Sequence, residues 1–386
     1  MSKADTSRSQ LRYKKESTWD TKATGNYKNI THTGESLVYN INTTTSSEIR
    51  SDRQITDLVQ TDASSNGGIN FELRAAALDD FMESALQSTF STAVAVSRTD
   101  ISAASTDNSY NTAAGDFTTE NLSVGQWIDV GGFTGNAGNN GNAKVVSITA
   151  LKLVVSGLTL TNETAGDTVT MAGQMLRNGT AETSYTFESE FSDITEFLWW
   201  SGMAVDTMNL EVASGSIATA NFSFLGGSHG TGQTTIGGSA VAATSGDLLN
   251  GVNNVSNLRE GGAAVASGIY IQKLSISVAN GLRPQQAIGS LAPIGIGNGS
   301  CNVTGSIDIY YSNDTLYSKF VNATSTSISY KMVDSSGNGY VVTLPNIKFT
   351  GGSPNAGGAN ADVILPLAFQ CLRDPTLNAT IQIDKF

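Results

Sequence analysis

The chain has 386 residues, 40 glycines, 39% hydrophobic residues and only 15% charged residues. Its formal net charge of -12 argues against a surface that grips nucleic acid, which needs cations to neutralise phosphates. It is compatible with a passage through which DNA slides without sticking, because like charge suppresses binding there.

A polar but weakly charged chain rich in Ser, Thr, Asn and Gly suits short strands and many turns better than long surface helices. The opening segment has no apolar stretch of the kind a secretory leader carries, so the expected location is the cytoplasm of the producing cell. No run of 18 apolar residues predicts a membrane-spanning helix, and no membrane insertion is expected. Cys301 and Cys371 form neither a CxxC pair nor a disulfide framework and read as free, buried thiols.

In chain order, residues 1–35 read as an irregular arm, followed by short extended pieces from Glu35 onward. The polar stretch Ser46–Ser65, with Ile55, Leu58 and Val59 isolated in it, predicts a loop or extended hairpin with a task outside the core. Next, Ile69, Phe71 and Leu73 alternate with Asn70, Glu72 and Arg74, the pattern of a strand with one wet face. Leu78, Phe81, Met82, Ala85 and Leu86 then recur at three and four residues and predict a short helix docked on a sheet. Asp79 and Asp80 lie near its positive end, and with Glu83 they form its wet side.

Residues 97–172 read as a small inserted β domain. Trp127, Ile128 and Val130, together with Val145, Val146 and Ile148, are its expected core, with the turn-forming tract TGNAGNNGN between them. Tyr185, Phe187 and Phe191 mark a strand, whereas Ile194–Trp200 fits either a short helix or a strand entering a turn. Leu210 and Val212, then Ile217, Ala220, Phe222 and Phe224, predict two strands around a Ser–Gly turn. The Gly/Ala/Ser-rich tract 229–264 reads as a linker or surface loop.

The spacing of Ile69, Leu78 and Met82 returns in Ile307, Leu316 and Phe320, and that of Ile55 and Leu58 in Ile288 and Leu291. These echoes suggest an internal duplication. The expected organisation is therefore 1–96 and 173–228 as the two parts of a first domain, 97–172 inserted within it, 229–264 as connection and 265–386 as a second domain.

Little in the sequence carries chemistry. His32 and His229 are far apart in polar loop contexts without metal-ligand spacing. GGSHGTG and GNAGNNGN lack the Lys–Ser/Thr of a phosphate loop, and GNGSC lacks the setting of an esterase elbow. No catalytic residues, cofactor or metal site are expected, and the reading from residues alone ends at a mainly β structural protein.

Several stretches resemble the major tail tube proteins of long-tailed (siphovirus) bacteriophages. They are LRYKKESTW, SSEIRSDRQITDLVQTDASSNGGINFELRAAALDDFMESAL, GQWIDVGGFTGNAGNNGNAKVVSITALKLVVSG, and the run from MLRNGTAETSYTFESE to NFSFLG, in that order. The resemblance implies a β-sandwich or barrel with a flanking helix, stacked in rings around a tape measure protein, with DNA later passing through the lumen. It casts Ile55, Leu58 and Val59 in an inter-ring loop, Leu78, Phe81, Met82 and Leu86 in helix docking, and the inserted domain as an exterior decoration. It implies a virion tail location, with tail tip and terminator proteins as further partners. Duplication would make the ring a trimer with pseudo-sixfold symmetry, and a hexamer is the alternative. A baseplate hub, a head decoration protein and a β-rich adhesin are the other structural classes weighed.

Overall fold

The computed structural model describes residues 3–265 and 269–386. Its main elements are β1 (Ser9–Lys15), β2 (Val38–Thr45), β3 (Leu58–Glu72), α1 (Asp79–Ala85), β4 (Tyr185–Phe191), β5 (Glu196–Ala213), β6 (Thr219–Gly226) and β7 (His229–Gly232). They continue as β8 (Val255–Glu260), β9 (Ile271–Ala279), β10 (Asn302–Tyr310), α2 (Thr315–Val321), β11 (Thr326–Val333), β12 (Gly339–Gly351), β13 (Ile364–Cys371) and β14 (Gln382–Lys385). The protein is mainly β, as its composition predicts.

Two compact units emerge. Unit 1 comprises Met1–Gln87, Thr180–Asn250 and Lys273–Ser306; unit 2 comprises Ser88–Gly179, Gly251–Gln272 and Ile307–Phe386.

In unit 1 the long strand β5 serves two sheets. Its first half pairs antiparallel with β4, which pairs with β1, and on its other side with β7. A bulge at Ser201–Gly202 then bends the strand, and Gly202 accommodates it with a φ of +71 that a side chain would resist. Beyond the bend β5 pairs with β6, and β6 with β3, which forms a long hairpin with β2. Along its second edge, Thr207–Ala213 pairs with Ala279–Lys273 of β9. Phe71 and Phe222 from one sheet, with Tyr13, Tyr185 and Phe187 from the other, fill the space between them.

Unit 2 follows the same succession. β11 pairs with β8 and with the first half of β12, whose other side takes β14. A bulge at Pro345–Asn346 bends β12, and Ile347–Gly351 continues against β13. Residues 88–179 add a β subdomain with its own core of Ile128, Val130, Val145, Leu153, Val169 and Met171. Its strand Val169–Arg177 runs on into an antiparallel pairing with β14.

Several expectations need correction. Residues 265–386 are not one domain, because β9 is held by the second edge of β5 and 273–306 belong to unit 1. The tract 229–264 is not merely a connection: it supplies β7 to unit 1 and β8 to unit 2. The inserted segment extends to 88–179 rather than 97–172 and shares a unit with 307–386. Of the readings left open, residues 58–65 take the extended-hairpin form as the first half of β3, and Glu196–Trp200 take the strand form. Val146 points to solvent and not into the subdomain core, because a bulge between Val145 and Ser147 flips the alternation there.

Candidate assembly surface

The hairpin of β2 and β3 has two unlike ends. Near the body, Ala63, Ser65, Ile69 and Phe71 alternate into the interior. The Ser65 hydroxyl donates to the Gly227 carbonyl at 3.1 Å, fixing the root of the hairpin. Farther out, Leu58, Val59, Gln60 and Thr61 are all exposed, and every residue of β2 but the half-buried Tyr39 is exposed. The strands hold together there through their ladder and through polar pairs such as Asn42 Nδ2 to Asp62 Oδ1 at 2.7 Å.

The connecting tip, residues 46–57, is ordered by charge and turn contacts. The Arg50 guanidinium forks onto both oxygens of Asp52, with Nη2 2.7 Å from Oδ2, and Thr56 donates to Glu48 at 2.8 Å. Ile49 is fully exposed and Ile55 is 72% exposed. Leu58 and Val59 sit beside them, more than half exposed. Ile55, Leu58 and Val59 thus share one projecting end, and Ile49 joins them there. Ile49 was missed because an isolated apolar residue between charged neighbours carries no periodic signal.

A second projection lies in unit 1. The short strands Arg283–Gln285 and Gly295–Gly297 pair, and the loop between them exposes Ile288 and Ile294. Its Leu291 carbonyl accepts the Ala63 N–H at 2.8 Å.

The helix-docking residues stand at the opposite extreme. Leu78, Phe81, Met82 and Leu86 are all buried. Phe81 is inserted among Tyr13, Phe71, Tyr185, Phe187, Phe222 and Phe224, with ring centroids 4.7–5.9 Å away. Asp80 accepts the Tyr13 hydroxyl at 2.6 Å, and burial, with Asp80 nearby, pushes the Tyr13 phenol far above its ordinary range. The aspartates at the helix start therefore include one that ties α1 to β1, not only a wet face.

The outer face of the β3–β6–β5–β9 sheet is lined by Asn70, Asn221, Asn209 and Ser277 in one row, with Asn221 donating to Asn70. A neighbouring row has Glu72, Thr219, Glu211 and Ser275, and Lys273 is neutralised by Glu211 at 2.8 Å.

Among the described residues, chemistry-bearing groups do not converge. His229 is a strand residue, not a free loop histidine: Nδ1 lies 2.8 Å from the Trp199 carbonyl, and the ring stacks on Tyr39. Burial pushes its pKa down. Among the described residues no group of three His, Cys, Asp or Glu side chains is placed to hold a metal. Cys301 and Cys371 are both free thiols; Cys371 is buried and Cys301 half-buried. No helix among the described residues is long and apolar enough to cross a membrane.

A protein-family model described as phage tail tube protein matches residues 6–371. The chain belongs to the phage tail tube protein family. No curated protein matches it by sequence. As a tail tube protein it is a structural component of the phage tail, and the projecting hairpin, the packed helix and the polar sheet face all lie within the matched span.

Proposed function

We propose that this tail tube protein polymerises into stacked rings that form the hollow tube of a long-tailed phage, through which DNA passes. The observation that carries this reading is the β2–β3 hairpin, whose apolar tip residues Ile49, Ile55, Leu58 and Val59 are exposed in the subunit. Burying them against the adjacent ring contributes about 25 cal/mol per Å² of apolar area removed from water. The Asn- and Glu-bearing sheet face is the surface suited to the lumen, since it offers phosphates no unpaired cation along those two rows. Tape measure, tail tip and terminator proteins are the further partners in this reading, and assembly occurs in the host cytoplasm.

Each ring contains three chains, each filling two of six quasi-equivalent positions. Support comes from the repeated succession strand–long loop–strand–helix, in β2–β3–α1 and again in β9–β10–α2. The strands that follow agree as well: β4–β5–β6–β7 and β11–β12–β13–β14 pair in the same way. The two long strands bulge at matching places. Met203 and Ile347 follow the first bulge, and the second falls two residues later, after Val205 and after Phe349. Helical reconstruction of assembled tubes tests the proposal, with three chains per ring expected. Six chains per ring overturn the two-position assignment, and isolated rings or fibres overturn the tube.

A further inference from the structure

Two open strand edges in this subunit are complementary, and the subunit already contains the contact that would close them. On β5, the segment from Thr207 to Ala213 has partners on both sides, β6 and β9. Its counterpart on β12 begins at Gly351, four residues past Ile347 as Thr207 is past Met203. That segment has a partner on one side only among the described residues. Gly351 faces Ala368, and the bridge from Asn355 to Ile364 keeps the same register. The strand missing from its second edge is the equivalent of β9, and the equivalent of β9 is β2.

β2 has the matching vacancy. Among the described residues it pairs with β3 alone. Ala63 and Ser65, opposite Ile41 and Tyr39, donate their N–H groups away from β2, to Leu291 and Gly227. In an antiparallel ladder, opposed residues point their backbone groups either both toward each other or both away. The N–H and C=O groups of Tyr39 and Ile41 therefore face outward from the hairpin. The edge has none of the features that keep strands from pairing with other chains: VYNINTTT contains no charged residue and no proline. The flanked strand β9 buries Leu274, Ile276 and Val278, whereas β2 buries no residue fully.

We propose that the outer edge of β2 of one copy pairs antiparallel with the Gly351–Asn355 edge of the next copy, as β9 pairs with β5 within a copy. This rests on the ring assembly proposed above and names the strands that make the lateral joint. The contact is heterologous, each copy giving one edge and receiving on the other, which is the arrangement that closes into a ring. By the alternation that the Asn280 N–H to Asp206 carbonyl bond sets on β5, Leu210 donates toward β9. Pro354 stands at the matching position and has only a carbonyl to give. The intermolecular ladder is correspondingly shorter, and the proline keeps the edge from pairing with its own kind in the free subunit.

The test is Ile41→Pro in the full chain. Its N–H has no partner in the hairpin, so the variant is expected to match wild type in circular dichroism and melting temperature while forming neither rings nor tubes. Tubes at wild-type yield overturn the proposal. In a Cys301→Ser background, Val38→Cys combined with Ser353→Cys or Asn355→Cys is then oxidised after assembly, since these residues all turn their backbone groups away from the joint and share one sheet face. Covalent trimers are expected from the double variants and none from Val38→Cys alone. Cross-linking by Val38→Cys alone points to β2 pairing with itself and also overturns the assignment. Failure of the wild-type chain to assemble would instead defeat the ring reading, so the two failures are distinguishable.

Discussion

The two helices occupy matching places in their units and are seated very differently. α1 buries Phe81, Met82 and Ala85, with Leu78 and Leu86 closing its ends. α2 buries Leu316 alone; Tyr317 and Phe320 are half-buried and Val321 is exposed. α2 is held in part by charge, with Lys319 bonded to Glu260. A short helix has little stability of its own, so its seat decides whether it is a core element or an adaptable one. α1 completes the core of unit 1, and α2 retains apolar surface.

Matched truncations test that contrast most strongly. Phe81→Ala removes a ring enclosed by aromatic neighbours and is expected to cost about 3–5 kcal/mol. Phe320→Ala, at a half-buried site, is expected to cost about 1 kcal/mol. Chemical denaturation of unassembled subunits gives both numbers. Equal costs would break the distinction between the seats.

Two buried carboxylates sharpen the comparison between units. Glu16 in unit 1 accepts from Ser184, Thr186, and the Gly202 and Asp20 N–H groups, at 2.7–3.0 Å. Burial still pushes it upward, but those four donors oppose the effect. Asp384 in unit 2 is fully buried; Oδ2 accepts from Gln382 at 2.7 Å, and Oδ1 meets no close hydrogen-bond donor among the described residues. The Trp127 N–H, Arg177 and Lys144 also face it and favour its charged form, yet burial prevails and pushes it up to about 8.

A carboxyl raised in the folded state binds its proton more tightly there than in the unfolded chain. Its contribution is complete below the ordinary value near 3.8 and is lost as pH rises toward 8. Each pKa unit corresponds to about 1.4 kcal/mol. Unit 2 is therefore expected to lose stability across that window, and Asp384→Asn to flatten the loss while gaining on wild type at pH 8. Melting temperatures measured from pH 5 to 8.5 check this. Parallel curves for the two proteins would show that Asp384 is already charged in the fold.

Local pattern made one part of this structure legible and nonlocal pairing hid another. The alternation of Ile69, Phe71 and Leu73 and the stripe of Leu78, Phe81, Met82 and Leu86 are set by neighbours within about ten residues, and the structure buries them all. The placement of β9 depends on β5, some sixty residues earlier, and no local property of residues 273–279 reveals that partner. Val146 fails for a related reason, since a one-residue bulge reverses which side chains face inward. The duplication proposed above is faint in sequence, and the bulges of β5 and β12 show one reason: Gly202 stands at one and Pro345 at the other. Different residues bend the strand at the same place.

The smallest effect on the subunit should come from the hairpin tip. Ile49 and Ile55 touch little in the isolated chain, so Ile49→Ser and Ile55→Ser should each change subunit stability by no more than about 0.5 kcal/mol. If adjacent rings bury these side chains, the same substitutions raise the protein concentration at which tubes appear and favour isolated rings. The double variant separates the hairpin's two proposed tasks: its β2 edge is intact, so lateral closure proceeds while stacking weakens. Turbidity against protein concentration, with micrographs of the product, reads both steps. Tubes forming at the wild-type concentration would mean that the tip stays solvated in the assembly and that stacking is carried by the exposed Ile288–Ile294 loop instead.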